Sequence, residues 1–333
     1  MVIRWGRGKR TGRATGGDHL LTHLEQVAGD GSEETHGELA FSEDTAVLVY
    51  RVEAPFPHFL YVTYGLSRTR SSVPVAGIQD ELTLRVPAEA APPVWPVQRL
   101  RNLARYQQTS GYPIEPGHYM DLRAPVREGA SLSGFIFVSD PLVPLLSAPT
   151  GRVRFINAVP VTADELDAAL RWDPLKFAGL LGDALPLGVS DPTRASLLID
   201  ASFARPLTSL TERDGSSVAA VSSSYFAVDD SGRVDVTAHA AGDLLRGMKW
   251  RLGYGRPFAV VGEGNSGWAR FVPTDEDSAS AVAFGNDVAS GPHATVTVNR
   301  ALRHEMLAVL DTGPGTYRFT SAPLVIHVID PAR

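Results

Sequence analysis

Residues Pro92 to Asp121 read PPVWPVQRLRNLARYQQTSGYPIEPGHYMD, and how this stretch folds decides how its neighbours are parsed. Val97, Leu100, Leu103 and Ala104 recur at helical spacing, while Arg99, Arg101, Asn102 and Arg105 spread over the other side. Pro92 and Pro93 forbid a helix before Trp95, Pro96 fits a first helical turn, and Gly111 with Pro113 stops the helix after Gln108. A helix with one apolar face needs a surface to cover, and the flanking sequence supplies one. Val47 to Val52, Phe59 to Tyr64 and Glu81 to Val86 are rich in β-branched, aromatic and leucine residues between Pro and Gly breaks, which predicts strands of one sheet. After the helix, strands are expected near His118 to Leu122, Phe135 to Val138 and Val153 to Val159.

Helix signals follow directly. Thr162 with Glu165 spells a capping box ahead of Leu166, Ala169 and Leu170, and Asp173-Pro174 opens a second helix toward Leu181. Leu197 to Ile199 and Val218 to Val228 read as strands, then Asp229, Asp230, Ser231 and Gly232 form a turn-rich break. Past it come a strand at Val234 to Ala238, a helix from Asp243 to Leu252, and strands at Phe258 to Val261 and Trp268 to Val272. A further strand, a helix over Arg300 to Leu310 capped by Asn299, and a strand at Leu324 to Ile329 close the chain. Irregular alternation of strands and helices, with hairpin-length loops, predicts an α+β fold of two mixed domains, each a sheet packed with helices. The chain of 333 residues is long enough for two cores, since one core rarely grows past about 250 to 300 residues. The expected division is a basic tail with a short helix over 1–35, a first domain over 36–229 and a smaller one over 230–333.

Composition narrows the function. With no cysteine there are no disulfides, thiolate nucleophiles or thiolate metal sites. A net charge of -6 argues against nucleic acid as the main partner. No apolar run reaches the roughly 20 residues that a membrane-spanning helix needs. The start MVIRWGRGKRTGRATGG is basic but lacks an apolar core and cleavage signature, so a cytoplasmic location is expected.

The motifs that would carry chemistry fail on context. Gly262, Gly264 and Gly267 spell GxGxxG, but a strand follows where a dinucleotide site needs a helix, so a Gly-rich hairpin is expected. His118 with Asp121, and His304 with Glu305, lack a third ligand at useful spacing, and Ser222 to Ser224 lack the nucleophile-elbow glycines. No enzyme activity, cofactor or metal is therefore expected. The alternative is a hydrolase or small-molecule enzyme with a cleft site built on His118, Tyr119 and Asp121.

A resemblance sharpens this. The order ELTLRV (Glu81 to Val86), PPVWP, a helix ending LARY at Tyr106, Gly117-His118, Asp140-Pro141, Ala148 to Phe155, TADEL at Thr162 to Leu166, and Trp172 is similar to the Suppressor of fused family. It reaches back to Tyr61 to Ser67 and forward to Asp214 to Ser217, with weaker likeness at Leu244 to Gly247 and Gly255 to Phe258. The resemblance implies a compact bacterial version of a non-enzymatic binder that clamps an extended segment of a partner between two domains by strand addition. It implies partner contacts at Tyr106, His118, Tyr119, Val221, Ser223 and Val236, with His118 departing from the family's aspartate. It also implies a protein partner, a toxin or a regulatory protein, in the manner of an immunity protein. The expected assembly is a monomer or weak oligomer with no nucleic acid and no membrane.

Overall fold

A computed structural model describes residues 17–28, 37–40, 46–67, 78–148, 151–287 and 291–330. The basic segment over 1–16 and the linker at Asp30 to Glu34 lie outside the described residues. The chain forms two compact units, one of residues 1–169 and 174–201, the other of 170–173 and 202–333.

The first unit runs through α1 (Gly17–Ala28), β1 (Gly37–Ala40), β2 (Ala46–Val52), β3 (His58–Tyr64), β4 (Ile78–Pro87), α2 (Trp95–Ser110), β5 (Tyr119–Asp121), β6 (Leu132–Ser139), β7 (Leu146–Ala148), β8 (Gly151–Thr162), α3 (Ala163–Arg171) and α4 (Pro174–Ala184). Its sheet has the order β1-β2-β3-β4-β8-β6-β5, with β7 also on β8. Every pairing in it is antiparallel except β4 with β8. Both faces of the sheet are covered, which is why its strands are apolar at consecutive positions rather than alternating with polar residues. Val47, Val49, Phe59, Tyr61, Leu82 and Leu84 face α2 through Trp95, Val97, Leu100 and Leu103. Leu48, Tyr50, Leu60, Val62 and Phe155 face α1 through Leu20, Leu21 and Leu24. Gly111 ends α2 with φ 71, a left-handed cap that L side chains rarely adopt, and its N–H donates to the Gln107 carbonyl at 3.2 Å. Removing Leu100, which is fully buried in this layer, would cost about 2–5 kcal/mol.

The second unit holds α5 (Ala201–Asp214), β9 (Ala220–Ser223), β10 (Phe226–Val228), β11 (Arg233–Thr237), α6 (Ala238–Trp250), β12 (Phe258–Gly262), β13 (Trp268–Pro273), β14 (Ala281–Asp287), β15 (Gly291–Val298), α7 (Arg300–Val309), β16 (Gly315–Arg318) and β17 (Val325–Ile329). They form a sheet β10-β11-β17-β16 and a sheet β14-β15-β13-β12-β9 around one apolar core. Among the described residues no helix is long and apolar enough to cross a membrane.

The α+β class and the elements around α2 agree with the sequence. Three readings do not, and one helix has no counterpart among them. The division falls near residue 201 rather than 229, because β9 pairs with β12, and Asp229 to Gly232 is the turn of the β10–β11 hairpin. The expected strand Val218 to Val228 is two short strands that break at Ser224-Tyr225 and enter different sheets. Leu197 to Ile199 is a 3-10 turn, where Ser196 caps Leu198, rather than a strand. The helix α5 was not legible because Pro206 interrupts its pattern. The Gly262 to Gly267 turn does join an antiparallel pair, β12 and β13.

Candidate functional site

The residues singled out by sequence fall on both units and differ sharply in exposure. Tyr106 lies near the end of α2 and is 44% exposed, so it is presented outward rather than anchoring the helix in the core. Tyr112, just past the Gly111 cap, is exposed as well, while Ile114 is buried and pins the segment that leads to β5. His118 is exposed on a turn closed by its own N–H on the Glu115 carbonyl at 2.9 Å. The Glu115 N–H donates to His118 Nδ1 at 3.1 Å, which puts the proton of the neutral ring on Nε2. The Glu115 carboxylate meets Arg154 at 3.1 Å, and Arg154 also pairs with Asp80 at 2.7 Å. The hydrogen bond from Arg154 holds Glu115 below the usual carboxylate range.

The hydrolase arrangement is not assembled. Asp121 Oδ1 accepts from the Arg123 N–H at 2.8 Å, and His118 Nδ1 is engaged by a backbone amide rather than a carboxylate. On α7, Glu305 is taken up by Thr320 and Ser321, whose amides hold its carboxyl down to about 2. Among the described residues no group of three His, Asp or Glu could hold a metal ion.

Val221, Ser223 and Val236 are buried at 5%, 0% and 0% exposure, so their side chains are core rather than contact surface. Ser223 Oγ donates to the Tyr225 carbonyl at 2.5 Å and accepts from the Thr237 N–H at 3.2 Å, tying β9 to the cap of α6. Val236 lies on β11, which has β10 on one side and β17 on the other. What β9 offers is main chain. Among the described residues it is the terminal strand of its sheet and pairs there with β12. The Ala259 N–H donates to the Ala219 carbonyl at 2.9 Å, so by the alternation of a parallel ladder Val221 shares that ladder. The backbone N–H and C=O of Ala220 and Ser222 face away from it, and both side chains are exposed. Sequence reasoning named the buried neighbours, because apolar strand residues stand out while an edge is a property of the sheet. In the first unit β5 is likewise the terminal strand, held to β6 between the bonds Phe137 N–H to His118 carbonyl at 2.9 Å and Leu122 N–H to Ser133 carbonyl at 3.0 Å.

Residues 43–195 match the family model described as Suppressor of fused protein. Over that segment the chain is Suppressor of fused-like. The human and mouse Suppressor of fused homologs are each 28% identical over 184 residues, covering 50% of this chain and 38% of theirs, so the match spans well under half the length of those relatives. The crystal structure of Drosophila Suppressor of Fused superimposes with a TM-score of 0.68 at 17% identity, covering 96% of this chain and 98% of that one, so the fold extends over both units. A chain from the Sufu-Fu complex matches with a TM-score of 0.52 at 21% identity over 59% of this chain and 97% of that one.

The Suppressor of fused-like motifs are polar hubs of the scaffold. Asp140 of the Asp-Pro pair is buried against Arg85 from the ELTLRV strand, with both nitrogens at 2.7 Å. Glu81 of the same strand is fully buried and accepts from Thr63, Gly65 and Ser67 of the Tyr61 to Ser67 motif. Burial pushes its carboxyl up to about 7 against those donors. The Thr162–Glu165 capping box forms, the Thr162 N–H donating to Glu165 at 3.0 Å, and Arg194 closes on the same carboxylate at 2.6 Å. Trp172 donates to Asp214 at 2.9 Å. The spacing of the resemblance therefore records which buried polar groups must meet.

Proposed function

We propose that this chain is a protein-binding module that takes up an extended segment of a partner by strand addition. The observation that supports the reading best is the edge at β9, where the main chain of Ala220 and Ser222 faces away from its sheet. Backbone hydrogen bonds along such an edge supply affinity with little dependence on sequence, and neighbouring side chains supply choice. The terminal strand β5, with Tyr119 on it, His118 before it and exposed Tyr106 and Tyr112 on the same unit, is the second edge of this kind. The immunity or regulatory role belongs to the same reading, as a partner silenced while bound, and rests on the family likeness alone.

The test is a proline scan of the edge. Ser222→Pro removes an outward N–H and leaves the β12 side of β9 intact, so the variant keeps its fold. Partners that co-purify with the wild type from the source cells, identified by mass spectrometry and then titrated, are expected to bind Ser222→Pro about tenfold or more weakly. A partner held with unchanged affinity by Ser222→Pro and by Asp121→Pro on β5 would refute strand addition.

A further inference from the structure

The terminal strands of the three sheets are finished differently. Among the described residues β1, β9 and β16 are 4 residues long, and β5 and β10 are 3. The exception is β14, at the end of its sheet opposite β9, which has 7 residues, Ala281–Asp287, reading AVAFGND. It pairs with β15 in an unbroken antiparallel register from Ala281 with Thr297 to Asp287 with Gly291. Short length, bulges, prolines and lysines keep an edge from pairing with other chains, and β14 has none of these. The Ala281 N–H donates to Thr297 Oγ1 at 2.8 Å, so the main chain of Ala281 faces β15. On the other side of β15, the Val298 carbonyl accepts from the Thr274 N–H at 3.1 Å, which leaves Thr297, Thr295 and His293 to face β14. Ala283, Gly285 and Asp287 therefore face β15 by alternation, and the N–H and C=O groups of Val282, Phe284 and Asn286 face away from it. The side chains of Val282 and Phe284 are half-buried against the core of the second unit.

The pattern of these groups is complementary to itself. A two-fold axis at Phe284 sets Val282 against Asn286 of the other copy, Phe284 against its own counterpart, and Asn286 against Val282. Each such pair exchanges two main-chain bonds, about six in all. The two Phe284 rings then lie on the same face at directly opposed positions, where an aromatic pair adds to the ladder. Asp287 is the only charged residue of the strand, and the axis sets it across from Ala281. The two aspartates stand about 20 Å apart along the strands, beyond the ~8 Å screening length at physiological salt. An unrelated strand would have to bring an apolar residue opposite Phe284 and avoid a second acidic group near Asp287, which a second copy does by symmetry. Pairing of β14 with β9 of another copy would add subunits without closing, and β9 presents only the outward groups of Ala220 and Ser222 to it. We propose that β14 pairs antiparallel with β14 of a second copy of this chain, centred on Phe284, and so joins two 5-stranded sheets into one. One strand buries less than a standard interface, so the dimer exchanges with free chains. The pairing does not depend on partner uptake at β5 or β9.

Sedimentation velocity of the full chain, from about 1 µM to about 500 µM, is expected to show the average mass rising from one chain toward two and no further. Asn286→Pro removes one outward N–H from each copy and leaves the bonds to β15 in place, and it should weaken the dimer about tenfold or more. Cysteines read the register, since the chain has none of its own. Phe284→Cys puts the thiols on the axis, where opposed Cα atoms are about 5.5 Å apart and within disulfide reach. It should form a covalent dimer when oxidised with copper phenanthroline in air. Asn286→Cys, about 14 Å from its counterpart along the strands, should not. Circular dichroism checks that each variant is folded. A single-chain mass at the highest concentration would overturn the proposal, as would growth past two chains. Equal cross-linking at the two positions, or a dimer unaffected by Asn286→Pro, would overturn it too. Ser222→Pro should leave the dimer intact, and its loss there would assign the contact to β9 instead.

Discussion

The buried pair Arg85–Asp140 gives the sharpest test of how the first unit is held together. Both side chains have 0% exposure, and the guanidinium meets the carboxylate through two bonds of 2.7 Å. Asp140 also accepts from the Thr83 hydroxyl at 2.5 Å and from the Leu142 and Val143 amides at 2.9 and 2.8 Å. Removing one member of such a pair typically costs about 3–5 kcal/mol, because the survivor is left charged in the interior. The two halves differ. Arg85→Met leaves Asp140 with three remaining donors and should fall near the lower end. Asp140→Ala strands a cation with no acceptor and also orphans two amides that turn the chain after β6, so it should fall near the upper end. The double variant should cost less than the sum, since it buries no charge. Hydrogen exchange of peptides from β4 and β6 reads the first unit alone, which avoids assuming that both units unfold together. At about 1.4 kcal/mol per tenfold, the single variants should speed the slowest exchange in β4 by on the order of a hundredfold or more. Changes under about fivefold in both single variants, or a double variant worse than their sum, would refute the argument. The pH dependence has a definite sign. Burial pushes Asp140 up, but the charge and hydrogen bonds of Arg85 outweigh it and hold the carboxyl below its usual range. The stability it contributes is therefore present above its unfolded value near pH 4 and is lost as pH falls through the lower folded value.

Glu81 should behave in the opposite sense. Its folded value of about 7 lies above the ordinary 4.5, so its favourable contribution is complete below pH 4.5 and is lost as pH rises to about 7. Exchange-derived stability of β3 and β4 should fall between pH 5 and 7 by up to about 1.4 kcal/mol per pH unit. The slope should vanish in Glu81→Gln, and equal slopes in the two proteins would exclude Glu81 as its source. Gly247 lets α6 approach β12, since a Cβ there would stand 2.6 Å from the Phe258 ring. Gly247→Ala gains about 1 kcal/mol of helix propensity but overpacks a ring with no room to yield, at about 1–3 kcal/mol. The net expectation is a lower melting temperature in calorimetry, relieved by Phe258→Leu. A higher melting temperature for Gly247→Ala alone would mean that the helix shifts freely.

The first unit was legible where local signals were strong: the proline lead-in and Gly111 stop of α2, the Thr162–Glu165 box, and apolar runs wide enough to bury on two faces. The second unit was read less well. Pro206 hid α5, and a run of small and aromatic residues from Val218 to Val228 carries no mark of where one strand ends and another sheet begins. The candidate sites divide in the same way. The sequence by itself determined the α+β class, the helix ends and the family likeness, because capping, turn chemistry and apolar spacing act within a few residues. It could not show that Val221, Ser223 and Val236 are core, or that Ala220 and Ser222 face outward from a sheet edge. Edges, exposure and hydrogen-bond satisfaction depend on which distant strands pair, and in this chain Ala220 meets Ala259 only once the sheet is built.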